Sequence, residues 1–291
     1  MAENRSVVIT GASTGIGYAI AKYFVERKWQ VFGSVRKAAD GERLRELGVT
    51  PLVFDVTDDA GVQAAAQQVS DALQGHTLSG LVNNAGVAVG GPMLYLPMEQ
   101  LRYQMEINLI GPARVTQAFA PLLGADRSRT GTPGRIVQMS SVAGKMGLPF
   151  MGPYVASKHA LEGLTESTRR ELMLFGIDMV VIGPGAILTP IWDKAEQSGM
   201  EAYDATEYAP MIARFTDQFM EMGRKALPAE RVAQVTWTAL TAAKPKVRYD
   251  VIPERFKTWT IPSLLPVRMV DKFIAKAFGL VNKQAARNPL A

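Results

Sequence analysis

The first forty residues constrain the fold more than any other stretch. Ser6-Val-Val-Ile-Thr10 is a short apolar run, Thr10-Gly-Ala-Ser-Thr-Gly-Ile-Gly17 a glycine-rich turn, and Ile16–Arg27 a helical pattern with Ile20, Phe24 and Val25 on its apolar face. Glycines let the backbone turn sharply, approach a ligand closely and pack the helix near the strand. A pyrophosphate at such a turn meets free backbone N–H groups and the positive end of the helix dipole. Glycine spacing alone is weak evidence, but here a strand precedes the turn and a helix follows it. The stretch predicts a nucleotide-binding turn opening a βαβ unit.

Further strand patterns follow at 30–35, 52–55, 81–85, 135–139, 178–182 and 247–252, separated by helical patterns at 40–47, 62–73, 99–107, 113–123, 154–175 and 229–242. Alternation of this kind predicts an α/β fold, a doubly wound parallel sheet of the Rossmann type covered on both faces. No linker-like run of Pro, Gly and Ser divides the chain. Its 47% hydrophobic and 20% charged composition therefore suits one domain with additions rather than two. We expect a dehydrogenase-like unit over 1–252 and a C-terminal extension over 253–291.

The chain has no cysteine, so disulfides, thiolate metal sites and cysteine nucleophiles are excluded, and with two histidines (His76 and His159) no metal site is expected. The N-terminus lacks signal-peptide features and no apolar run reaches the ~20 residues of a membrane span, so a cytoplasmic location is expected. From Lys244 onward, ten lysines and arginines face three acids. Without a recognition module or aromatic-basic interleaving, that tail predicts solvated surface, not nucleic-acid binding.

Two features carry chemistry. Where dinucleotide-binding chains place an acid for the ribose hydroxyls, the second strand runs into Gly33-Ser34-Val35-Arg36-Lys37. Arg36 suits a 2′-phosphate, which its planar fork can grip, so NADP(H) is expected and NAD(H) is the second choice. Tyr154 and Lys158 lie four apart on a helix and so share a face. An ammonium beside a phenol favours the phenolate and brings a group that titrates at ~10 toward neutral pH. Ser141, thirteen residues upstream of the tyrosine, could polarise a carbonyl held between them.

With these motifs in this order, the chain resembles the short-chain dehydrogenases/reductases over roughly residues 5–252. Residues 10–17 look like the family's T-G-x-x-x-G-I-G turn, Asp55 like its adenine-contacting aspartate, and Asn83-Asn-Ala-Gly86 like its N-N-A-G signature. Pro184-Gly185 with Thr189 matches the segment that holds the nicotinamide carboxamide. The resemblance implies cofactor contacts at Gly11, Ser13, Thr14, Gly15, Ile16 and Gly17, at Asp55 and Val56, and at Asn83, Ala85 and Gly86. It implies others at Tyr154, Lys158, Pro184, Gly185, Ile187 and Thr189. It also implies that Tyr154 is the general acid in reduction and the base in oxidation. Lys158 would bind the nicotinamide ribose and lower the tyrosine pKa, Ser141 would orient the substrate oxygen, and Asn108 would hold a water in a proton relay. Ser140 competes with Ser141, and the family's usual spacing favours Ser141. Two departures stand out: Gly183 replaces the bulkier or charged residue often found before Pro-Gly, and the loop at 127–134 is longer than the minimal form.

Lys145-Met-Gly-Leu-Pro-Phe-Met-Gly-Pro153 is almost wholly apolar and resembles the hydroxysteroid and retinol dehydrogenase branch. Leu148, Phe150, Ile191 and Trp192, with Ser141 and Tyr154, are the expected substrate contacts. The resemblance implies a lid at about 186–226, where Met200, Tyr203, Met211, Phe215, Phe219, Met220 and Met222 suit an adaptable apolar pocket or simple packing. A small lipophilic ketone or alcohol is the expected substrate. A non-catalytic dinucleotide sensor is the rival reading, which retention of serine, tyrosine and lysine disfavours. The resemblance also implies a homodimer or homotetramer through helices beginning near Ala113 and Tyr154. In the tail, Val270, Phe273, Ile274, Ala277 and Val281 share one helix face and Arg268, Lys272 and Lys276 another. That helix could rest on an anionic membrane, though packing on its own domain is commoner.

Overall fold

The computed structural model describes residues 5–189, 200–253 and 264–281. Within them, β1 (Ser6–Ile9), β2 (Gln30–Val35), β3 (Thr50–Val53), β4 (Gly80–Asn83), β5 (Arg135–Met139), β6 (Asp178–Pro184) and β9 (Arg248–Val251) form one parallel sheet. Its order is β3-β2-β1-β4-β5-β6-β9, so the chain reverses direction across the sheet between β1 and β4. Ligands of such sheets bind at the carboxyl ends of the strands beside that reversal. Two short strands, β7 (Ile187–Leu188) and β8 (Leu227–Pro228), pair separately.

Strands buried on both faces explain the continuous apolar runs. On one face, α1 (Gly15–Val25) packs against α8 (Ala229–Thr241), and Phe24 meets Trp29 and Trp237 edge-on at 5.0 and 5.2 Å. On the other, α3 (Asp59–Leu73), α5 (Gly111–Phe119) and α6 (Gly152–Leu172) enclose Val62, Val69, Phe119, Leu123 and Leu172. The short α2 (Ala38–Glu46) covers β2 and β3.

Expected and observed elements differ where local rules compete. The third strand starts at Thr50 rather than Leu52: β3 is an edge strand, and an edge strand tolerates Pro51. The helices expected at 99–107 and 113–123 run nearly continuously, as α4 (Met98–Met105), a π-helical stretch Glu106–Ile110 and α5. The lid region holds a helix that periodicity did not reveal, α7 (Ala209–Arg224). The tail helix is α9 (Val267–Phe278), and it packs on α7. Its inner face is set by Ile274 and Phe278, with Leu280 just beyond, while Phe273 is 61% exposed and Ala277 is also exposed. The apolar face expected from spacing was therefore rotated, because Phe278 and not Phe273 anchors the helix.

β1 and β4 are tied at their ends by one side chain. The buried Thr10 hydroxyl accepts from the Asn84 and Ala85 N–H groups, each at 2.9 Å, and lies 3.4 Å from the Val82 carbonyl. Thr10→Val keeps the shape but strands two donors, so unfolding free energy should fall by about 1–3 kcal/mol. Urea titration of Thr10→Val beside Thr10→Ser measures it: Ser should retain most of the stability, and equal losses would contradict the hydroxyl's role.

Candidate active site

The glycine turn sits at the carboxyl end of β1. Gly11 has φ +65° and Gly15 φ +58°, a region closed to most side chains. A Cβ at Gly17 would stand 2.2 Å from the Gly11 carbonyl oxygen, so only glycine lets α1 start this close to the strand. Asn84 braces the turn by donating through Nδ2 to the Thr10 and Gly11 carbonyls at 2.9 and 3.2 Å. Ser34, at the end of β2, accepts the Gly11 N–H at 2.9 Å. The first turn of α1 carries no acid, and Thr14 makes no side-chain cap there. A helix start of this kind fits an anionic phosphate, with Gly11, Ser13, Thr14, Gly15, Ile16 and Gly17 around it.

The remaining residues expected at a dinucleotide line the same edge. Arg36 is exposed where β2 ends. Asp55 follows β3, its carboxylate accepting the Thr57 N–H at 3.0 Å and hydroxyl at 2.8 Å, and Val56 is buried beside it. Asn83 is turned inward, donating to Thr116 at 3.0 Å, so its side chain braces β4 against α5 and leaves Ala85 and Gly86 along the edge. Pro184 ends β6, Gly185 donates to the Val251 carbonyl at 2.9 Å, Ile187 is buried in β7, and Thr189 is half-buried.

The end of β5 and the start of α6 bring the expected catalytic residues together. The Ser141 hydroxyl faces the Tyr154 phenol; it also accepts from Ala143 N–H at 3.1 Å and donates to Pro184 carbonyl at 3.3 Å. The Ser140 hydroxyl points elsewhere, donating to Glu162 at 2.6 Å. The structure thus brings Ser141 and not its neighbour to the tyrosine. Lys158 Nζ lies 5.7 Å from the centre of the Tyr154 ring and donates to the Met139 carbonyl at 2.8 Å. Burial pushes the Tyr154 phenol above its ordinary value, and the Ser141 hydroxyl pulls it back only in part. Burial pushes Lys158 down from 10.5 to about 8, against the attraction of Glu162. Among the protein's own groups, desolvation outweighs the Ser141 hydrogen bond, so the phenol stays above its ordinary value.

Asn108 sits in the π-helical stretch, a frequent mark of a functional turn. Its amide is committed at both ends: Oδ1 accepts the Val87 N–H at 2.9 Å, and Nδ2 donates to the Val87 carbonyl at 2.9 Å and Ser157 at 3.2 Å. Gln104 makes the same kind of clasp one turn earlier, to Val87 and Val89, and sequence reasoning missed it. Both side chains fix the loop after β4 against α6.

Of the expected substrate contacts, Leu148 is half-buried and Phe150 is buried. Ile191 and Trp192 lie outside the described residues. Phe150 has φ +64°, costly for a bulky residue, and its carbonyl accepts the Gly91 N–H at 2.7 Å. Its ring packs edge-on against Tyr208 and Phe215 at 5.8 and 5.7 Å. Phe150 thus joins the loop between Ser141 and Tyr154 to α7, in an apolar cluster with Tyr203, Ile212 and Phe278.

Residues 5–199 match the family described as short chain dehydrogenase. An NADPH-dependent 3-dehydrocapnine reductase from Ornithobacterium rhinotracheale is 42% identical over 275 residues, 94% of this chain and 96% of the relative. Human 17-beta-hydroxysteroid dehydrogenase type 1 is 34% identical over 283 residues, 91% of this chain and 81% of the relative. The solved structure of a short chain dehydrogenase/reductase from Burkholderia phymatum in complex with NAD superposes with a TM-score of 0.73 at 26% identity, covering 89% of this chain and 93% of that one. The chain belongs to the short-chain dehydrogenase family, and it is an oxidoreductase.

The depressed Lys158 value has a stability consequence with a definite sign. Between pH about 8 and 10.5 the unfolded chain binds a proton that the folded chain has lost, so this residue makes stability rise with pH across that window. Comparing wild type with Lys158→Met by urea unfolding from pH 7.5 to 9.5 cancels the other groups. The difference should move toward wild type by on the order of 1–2 kcal/mol, each pKa unit being about 1.4. A flat difference would contradict the buried ammonium.

Proposed function

We propose that the protein is an NADP(H)-dependent oxidoreductase interconverting a lipophilic alcohol and its ketone or aldehyde, with Tyr154 as general acid/base. The observation that carries this reading is the convergence of Ser141, Tyr154 and Lys158 between the glycine turn and the Pro184 segment, at the sheet edge beside an apolar cluster. When bound, the cofactor supplies the hydride. The protein's own groups orient the carbonyl oxygen through Ser141, pass a proton at the Tyr154 hydroxyl, and keep Lys158 within reach of the nicotinamide ribose. A raised phenol pKa suits the acid role, since the proton stays on Tyr154 until oxyanion charge develops at the substrate. Asn108 holds the loop after β4, and its part in a water relay requires its amide to give up a bond or its main chain to serve.

The relative named for NADPH supports the cofactor preference, as does Arg36 with no acid at the end of β2. An NAD(H) preference is the second reading, favoured by the neighbour solved with NAD. Tyr203, Phe215 and the methionines around them support an apolar substrate, steroid-, retinoid- or aromatic-like. Exposed Tyr103, Ile110 and Leu164 on α4–α6 support a homo-oligomer built through those helices. No described helix is long and apolar enough to cross a membrane. The exposed Val267, Met269 and Phe273 of α9, beside Arg268 and Lys272, support peripheral contact with an anionic surface.

Turnover is to be screened with 3-dehydrocapnine and with steroid, retinoid and aromatic ketones against both reduced cofactors. Tyr154→Phe should lower kcat by about 100-fold or more while NADPH affinity changes less than about twofold. Unchanged turnover would refute the assignment. Arg36→Asp should weaken NADPH by about tenfold or more and NADH little, since only one carries the 2′-phosphate. Equal effects would refute the phosphate role.

A further inference from the structure

The family resemblance leaves Gly183 unexplained, and the structure supplies its reason. A Cβ there would lie 2.3 Å from Arg248 Nη2 and 2.9 Å from Asp250 Oδ1. The missing side chain makes room for a guanidinium that reaches in from β9. Arg248 is 17% exposed and has three partners: Nε donates to Asp250 at 2.7 Å, Nη1 to Glu162, and Nη2 to the Ser141 carbonyl at 3.2 Å. Glu162 lies one turn beyond Lys158 on α6, its side chain 7% exposed. Besides Arg248 it takes the Ser140 hydroxyl at 2.6 Å and Lys145 Nζ at 3.1 Å. Gly144 is shaped to it as well, because a Cβ there would stand 2.1 Å from Glu162 Oε1.

Among the described residues, two acids and two bases therefore form a cluster from three parts of the fold: Glu162 on α6, Arg248 and Asp250 on β9, and Lys145 after the turn that follows Ser141. A buried ion pair seldom adds stability over apolar packing, so its retention calls for another use. Its hydrogen bonds end on both residues of the Ser140-Ser141 step. Glu162 grips one hydroxyl, and Arg248 the other residue's carbonyl.

We propose that Glu162 and Arg248 are positioning residues that clamp the Ser140-Ser141 segment and so hold the Ser141 hydroxyl against Tyr154. This rests on the oxidoreductase reading above. A serine held by the ends of a strand and a loop could drift by an ångström, and misplacement on that scale costs about 100-fold in rate. The clamp locks its backbone from both sides, leaving the hydroxyl to face the phenol. Glu162 also attracts the Lys158 ammonium, and because Arg248 is paired to Glu162, removing Arg248 should strengthen that attraction.

The test compares Glu162→Gln, Arg248→Met and Arg248→Lys with wild type in kcat, KM, NADPH affinity by fluorescence and the pH profile of kcat/KM for ketone reduction. Each variant should lose about 10- to 100-fold in kcat with NADPH affinity held within about twofold. The alkaline limb, where the Tyr154–Lys158 pair loses its proton, should move to lower pH by about half a unit in Glu162→Gln and to higher pH in Arg248→Met. Opposite displacements are not expected from a merely structural role. Arg248→Lys keeps a charge beside Glu162 but has no second nitrogen for the Ser141 carbonyl, so its kcat should still fall if Arg248→Met does not fold. Wild-type kcat in folded variants, or lost kcat with an unmoved limb, overturns the proposal. An active Tyr154→Phe would instead overturn the underlying reading, which separates the two failures.

Discussion

The Thr10 hydroxyl, accepting two main-chain N–H groups from the end of β4, is the contact on which the rest of the site depends. β1 and β4 are the central neighbours of the sheet, and the chain reverses direction between them. Pinning their carboxyl ends together sets the glycine turn beside Ala85 and Gly86. From β4 the ladder passes to β5 and then β6, which deliver Ser141 and Pro184 to the same edge. α6, crossing behind them, turns Tyr154 and Lys158 toward that edge. The glycine turn after β1 and the Ser141–Tyr154 pair after β5 are then two strand intervals apart along this edge.

Burial governs the electrostatics of this edge. Taking Tyr154 and Lys158 out of water raises one value and lowers the other, so both neutral forms are favoured. Such a pair destabilises the charged lysine at neutral pH, and the fold offsets it locally. Met139 carbonyl receives the ammonium, and Glu162 stands one turn away. The strained Phe150 backbone is a second cost, held by the Gly91 hydrogen bond and by the aromatic packing that joins the loop between Ser141 and Tyr154 to α7 and α9.

Much of this was legible in the sequence because it rests on short-range rules. A glycine turn between a strand and a helix, a pair of residues four apart and an apolar strand each announce themselves locally. β2 and β5 begin and end where their apolar runs do. What escaped depends on distance in the chain. Gln104 and Ser34 act through main-chain groups of other segments, and nothing in their own neighbourhood marks them. Arg248 looked like one charge in a basic tail, and its partners Glu162 and Ser141 lie 86 and 107 residues away. The face of α9 was misjudged because helical spacing shows which residues align, while the wall offered by α7 decides which of them is buried. The substrate contacts stayed least legible: Phe150 is bound into packing beneath α7, and Ile191 and Trp192 lie outside the described residues.

The proposed reaction passes a hydride from the cofactor to a lipophilic carbonyl at this edge of the sheet while Tyr154 supplies the proton. Incubation of the protein with a converted ketone and NADPH deuterated at the hydride-donating ring carbon tests it most directly. The account predicts one deuterium on the carbinol carbon of the alcohol, one oxidised cofactor per product, and an oxygen-bound proton drawn from solvent. Alcohol formed without the label, or with label but at an undiminished rate when Tyr154 is phenylalanine, would contradict it.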